Sequence, residues 1–109
     1  MKIAVTSQNF RSITGHAGKT RRFLIYDVNS IDREINVERV DLPKDMSIHE
    51  NGNSSHPIDA VDILITSSCG NGFLKKMSKR KIQVIITSES DPVKAVMATL
   101  KGQELPLPE

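Results

Sequence analysis

With one cysteine, no tryptophan, one tyrosine and three phenylalanines, this chain of 109 residues is short of thiols and of aromatic rings. A single cysteine excludes an internal disulfide, and it excludes a zinc or iron-sulfur centre built from four cysteines of the same chain. So few rings leave no stacking platform of the kind that single-stranded nucleic acid favours, and nucleic acid is not the expected partner. His16, His49 and His56 fall in neither H-x-x-x-H nor H-E-x-x-H spacing, which argues against a conventional protein zinc site. No apolar run approaches the roughly 18 residues of a membrane span. At the start of the chain, Lys2 is followed only by Ile3, Ala4 and Val5 before polar Thr6 and Ser7. A secretory leader is therefore not expected, and a cytoplasmic protein without membrane attachment is. Acidic residues are also missing from Met1 to Tyr26, where Lys2, Arg11, Lys19, Arg21 and Arg22 are all basic. That end of the chain should attract anions although the net charge is only +2.

What is present fits a single domain over residues 1–109, since a hydrophobic content of 38% and a charged content of 26% are ordinary for a globular protein of this size. Lys2–Thr6 is short, β-branched and apolar, which reads as a buried first strand. Arg22–Val28 and Glu34–Leu42 both read as strands, and the Asn29-Ser30-Ile31-Asp32 link carries turn chemistry, so an antiparallel hairpin is expected. Residues 43–55 are polar and rich in Asn, Gly and Ser, which reads as a mobile loop, and His56–Ala60 suits a short helical turn. Asp62–Thr66 and Ile82–Thr87 are near-continuous apolar runs of the kind covered on both faces, and such strands are usually parallel. Between them Phe73, Leu74 and Met77 recur at helical spacing, while Lys75, Lys76, Lys79, Arg80 and Lys81 suit a solvated face. A last helix is signalled by Asp91 as cap, Pro92 in the first turn, an apolar stripe at Val93, Val96, Met97 and Leu100, and Gly102 as a stop. Residues 103–109 read as a loose tail. The whole is an α/β chain with a mixed five-stranded sheet, strands two and three antiparallel and strands one, four and five parallel.

Two stretches carry unusual chemistry. In Ile13–Arg22, Gly18-Lys19-Thr20 resembles the end of a phosphate-binding G-x-x-x-x-G-K-[ST] loop. The first glycine of that motif would fall at Ile13, and the motif should open a helix where a strand is expected. A phosphorylated or nucleotide-like ligand at residues 15–22 thus remains an alternative without a true P-loop behind it. His16 has the small neighbours Gly15, Ala17 and Gly18, which leave its ring accessible and the backbone free to approach a ligand. In the second stretch, Ser67–Phe73, the lone Cys69 lies where a strand gives way to a helix. Unpaired backbone N–H groups and the helix dipole favour negative charge there, so the thiol pKa should be lowered. The competing reading is that Cys69 is a small buried hydrophobe. Gly70 and Gly72 would let a ligand approach the helix N-terminus. If Lys2–Thr6 and Asp62–Thr66 are parallel neighbours, the chain direction reverses between them, and both stretches should face one crevice beyond the strand ends.

The stretches "GHAGKTRRFLIYDV", "HPIDAVDILITSSCGNGFLKKM" and "IQVIITSESDPVKAVMATLKG", in this order and across nearly the whole chain, resemble the dinitrogenase iron-molybdenum cofactor biosynthesis family, its NifX-like and NifB C-terminal-like domains. The resemblance implies a three-layer ribonuclease-H-like fold. It also implies a non-enzymatic role in binding or carrying a preformed iron-sulfur or molybdenum-iron-sulfur cluster, taken from a donor protein and passed to an acceptor. His16 matches the histidine of the family's H-x-G pattern, with Ala17 where a phenylalanine is common, and Cys69 matches a cysteine of NifX-like members. His16 and Cys69 are then the candidate metal ligands. Gly18, Gly70 and Gly72 give close backbone approach, with Arg11, Lys19, Arg21 and Arg22 as electrostatic support. The radical-SAM cysteine motif that begins full-length NifB is absent. A regulatory interaction module that carries no cluster is a further alternative.

Overall fold

The structure is a computed structural model that describes residues 1–43, 46–47 and 56–108. Most of the expected mobile loop at 43–55 lies outside the described residues. In chain order the elements are β1 (Lys2–Thr6), β2 (Arg22–Val28), β3 (Ile35–Asp41), a 3-10 turn (Pro57–Ala60), β4 (Ile63–Thr66), α1 (Asn71–Lys79), β5 (Gln83–Ile86) and α2 (Pro92–Leu100). They build one five-stranded sheet in the order β3-β2-β1-β4-β5. β2 runs antiparallel to β1 and to β3, whereas β4 runs parallel to β1 and to β5. This is the mixed sheet expected from the hairpin and the two apolar runs, each boundary lying within a residue of the expected one. No helix among the described residues is long and apolar enough to cross a membrane.

Because side chains alternate across a strand, the sheet supplies a core on each face. On one face Ala4, Phe23, Ile25 and Leu64 pack against Phe73 and Met77 of α1 and against Ile58 of the 3-10 turn. On the other, Ile3, Val5, Leu24, Tyr26, Ile63 and Ile65 pack against Ala95 and Val96 of α2. Helix, sheet and helix thus form the three layers of a ribonuclease-H-like arrangement. The inward stripe of α2 differs from expectation: Val93 is 57% and Met97 38% exposed, while Pro92, Ala95 and Val96 are buried. Ala95 and Val96 lie in one cluster with Ile3, Val5, Ile63 and Ile65, so a small and a β-branched residue face the sheet in place of Val93 and Met97. Asp91 caps α2 as expected, its carboxylate accepting from the N–H groups of Val93 and Lys94 at 2.9 and 3.3 Å. Likewise Leu74 of α1 faces outward, 37% exposed. β5 is a sheet edge and is half-buried rather than covered on both faces. The C-terminal segment, expected to be loose, is held beside this strand, where the Pro106 carbonyl accepts from the Thr87 hydroxyl at 2.6 Å and from the Ser88 N–H at 3.0 Å.

His56 starts the 3-10 turn. Its Nδ1 accepts from the Ile58 N–H at 3.2 Å, which leaves Nε2 to donate to the Met46 carbonyl at 2.6 Å. The Asp59 carboxylate returns the cap by accepting from the His56 N–H at 2.9 Å, and Arg80 pairs with Asp59 at 2.8 Å. Burial pushes the His56 pKa down, against weaker opposing effects of the Met46 carbonyl and Asp59. The imidazole is therefore neutral in the fold, and protonation removes its acceptor at Nδ1. A base with a lowered folded-state pKa contributes stability that is complete above the unfolded value near 6.5 and is lost as pH falls through the folded value. Unfolding titrations below about pH 6.5 should show stability falling by at most about 1.4 kcal/mol per pH unit from this group. His56→Asn, which can cap but cannot protonate, should flatten that slope; an unchanged slope would assign it to other groups.

Candidate functional site

β1 and β4 are parallel neighbours and end in a matching pattern, Val5-Thr6-Ser7 and Ile65-Thr66-Ser67. The pattern recurs as Ile86-Thr87-Ser88 at the end of β5. Thr6, Thr66 and Thr87 are all fully buried, at 0% exposure, so the carboxyl edge of the parallel strands carries a row of threonines. A buried hydroxyl requires a partner, and here the partners are one another and the loops above. The Thr6 and Thr66 hydroxyls lie 2.8 Å apart. Both reach the Thr14 carbonyl, at 2.6 and 3.2 Å, and Thr66 also reaches the Ser68 carbonyl at 3.2 Å. The backbone continues the stitching, since the Thr14 N–H donates to Thr6 O at 2.9 Å and the Ser67 N–H to Thr14 O at 3.2 Å. The loop after β1 is thus fastened to the loop after β4.

Above this row the first loop makes a tight turn. His16 has a left-handed φ of 54°, unusual for a residue with a side chain. Its N–H donates to Ser68 Oγ at 2.9 Å, and the next N–H, of Ala17, donates to Ser68 O at 3.2 Å. The N–H groups of Lys19 and Thr20 close the turn on His16 O at 2.9 and 3.1 Å. Thr20, whose place resembles the end of a phosphate-binding motif, is 1% exposed, and its hydroxyl bonds to the carbonyls of Gly15 and His16. The chain then enters β2 and not a helix, so the geometry of a P-loop is not formed.

Across from this turn, α1 opens with Gly70 as its N-cap, and no side chain caps its first N–H groups. Between the two lies a cavity of about 470 Å³. His16, Ala17, Gly18 and Lys19 line one side, and Ser68, Cys69, Gly70, Gly72 and Phe73 line the other. That volume lies in the range of small-ligand pockets. The structure therefore brings His16, Gly18, Lys19, Cys69, Gly70 and Gly72 to one crevice, with an exposed imidazole and open space around Gly70 and Gly72.

Arg11, Arg21 and Arg22 do not line it. Arg22 is engaged beside the hairpin: Nε lies 3.3 Å from Asp41, Nη1 donates to Gln8 O at 2.9 Å, and the guanidinium stands 5.7 Å from the centre of the Phe10 ring. Arg39 stands 5.4 Å from the centre of the same ring. A charge repeated along the sequence thus divides between a cavity lining (Lys19) and a cation–π contact that packs the loop.

The thiol also departs from expectation, because burial pushes the Cys69 pKa up. Cys69 precedes the cap of α1 and leans against the core cluster of Phe23, Phe73 and Met77. Loss of hydration opposes the thiolate there. A metal bound to this sulfur would displace a proton. Among the described residues no three His, Cys, Asp or Glu side chains gather as a metal site. Ser68 and the threonine row were missed in the sequence, although the threefold repeat of a β-branched residue followed by Thr-Ser was a visible signal for the row.

Comparison with known proteins agrees with this architecture. The model of the family described as dinitrogenase iron-molybdenum cofactor matches residues 1–103. No curated protein matches. Among solved structures, PH0822 superposes with a TM-score of 0.71 at 19% identity, over 94% of this chain and 93% of that one. A Methanocaldococcus jannaschii protein provisionally called a dinitrogenase gives 0.69 at 22% identity, over 94% and 90%. The apo form of the orange protein from Desulfovibrio gigas gives 0.65 at 20% identity, over 98% and 92%. At these identities the likeness is one of fold.

Proposed function

The chain belongs to the dinitrogenase iron-molybdenum cofactor family, and from that premise we propose that it binds and carries a preformed iron-sulfur or molybdenum-iron-sulfur cluster without catalysing a reaction. The observation that carries the reading is the shared cavity, which places one imidazole and one thiol beside an uncapped helix N-terminus. A cluster that arrives with its own sulfides needs only one or two protein ligands, and this crevice has two to offer. Backbone N–H groups and Lys19 suit the negative charge of such a cargo. Donor and acceptor proteins follow from a carrier's role. A phosphorylated ligand is less well served, because Thr20 is buried and turned toward its own loop.

Protein purified without oxygen and mixed with a preformed cluster should co-elute with iron or molybdenum and show sulfur-to-metal charge-transfer absorption. Colourless protein that instead binds ATP at micromolar concentration would refute the carrier and support the alternative.

A further inference from the structure

Ser68 occupies the junction of the two loops. Its carbonyl accepts from the Ala17 N–H at 3.2 Å and from the Thr66 hydroxyl at 3.2 Å. Its side-chain oxygen accepts from the His16 N–H at 2.9 Å, and so steadies the left-handed backbone from which the imidazole projects. That bond uses a lone pair of Oγ, and the hydroxyl proton has no acceptor among the described residues. Ser68 lines the cavity between His16 and Cys69. Gly15 supplies an independent observation: a Cβ built there would overlap Ser68 Oγ and come within 2.9 Å of Ser67 Oγ and 3.3 Å of Ser68 Cβ. The absence of a side chain at position 15 is what lets the two loops close with the hydroxyl between them.

We propose that Ser68 is a further cargo-contacting residue of the site, which pins the His16 backbone through its oxygen and offers its proton to a sulfide or another anionic atom of the cluster. The contact rests on the carrier reading, whereas the pinning of His16 does not. A donor to a cluster sulfide stabilises added negative charge, so it strengthens retention and raises the reduction potential.

The test compares the parent with Ser68→Ala and Ser68→Thr, first as apo protein and then after loading with a preformed cluster. In Ser68→Ala the His16 amide should exchange with solvent faster, while the melting temperature stays near that of the parent. Cluster retention should fall about tenfold or more, as happens when outer partners of metal sites are removed. The charge-transfer bands should move and the potential should become more negative. Ser68→Thr keeps the hydroxyl and should restore retention and band positions. Equal retention with unmoved bands in Ser68→Ala overturns the contact, and unchanged His16 exchange overturns the pinning. A parent that takes up no cluster refutes the carrier reading and the contact with it, and amide exchange in the apo proteins still decides the pinning.

Discussion

Thr66→Val should cost about 1 kcal/mol, the range for one net hydrogen bond lost while its partners keep others. For a domain of this length that lowers the melting temperature by about 4 °C. Valine matches threonine in shape, so packing barely changes and the loss reports the hydroxyl. Without it the Thr6 hydroxyl loses its neighbour at 2.8 Å but still donates to Thr14 O at 2.6 Å, and the Thr14 and Ser68 carbonyls keep the Ser67 and Ala17 N–H groups. Thr6→Val should do comparable damage. Removing both hydroxyls should cost less than the sum, because the bond between them is lost in either single change and is counted twice in the sum. Additive losses, or a Thr66→Val protein that melts with the parent, would show that the two loops are not joined through this pair.

The second large effect concerns cargo. Replacing both His16 and Cys69 should lower cluster retention at least 100-fold, taking about tenfold for each ligand lost, that is about 1.4 kcal/mol each. The two positions should differ in stability. His16→Gly removes the imidazole and also relieves a left-handed φ of 54°, so the apo protein should melt at or above the parent temperature. Cys69→Ala removes a half-buried sulfur packed on the core and should cost about 1 kcal/mol. If His16→Gly is clearly less stable than the parent, the imidazole is a structural group. If the double variant retains cluster as the parent does, neither residue is a ligand.

The order of elements was legible because it depends on local pattern. Apolar runs at β1 and β4, turn residues at Asn29 to Asp32 and the Asp91-Pro92 pair each specify their element almost alone. The meeting of the His16 and Cys69 loops was legible too, since two parallel strands about 4.8 Å apart must end side by side. What the sequence hid was whatever depends on rotation or on distant partners. The inward face of α2 is carried by Ala95 and Val96, whereas hydrophobicity alone pointed to Val93 and Met97 as well. The thiol pKa was raised by burial against the core, a packing that no spacing encodes. Arg22 was drawn away by Asp41 and Phe10, both remote from it in the chain. Ser68 reads as a generic loop serine until His16 is seen to fold back onto it.

The threonine row divides the molecule into a frame and a rim, and this has an evolutionary consequence. Thr6 and Thr66 hold the loops by their bases, through Thr14 O and Ser68 O, while His16, Lys19, Cys69 and Gly72 stand above that fastening. Substitutions in the rim therefore change what the crevice recognises at little cost to folding, and substitutions in the frame are removed by selection whatever the cargo. On the carrier reading proposed above, a lineage can exchange one metal-sulfur species for another by drifting at these rim positions, with the sheet beneath acting as an unchanging mount.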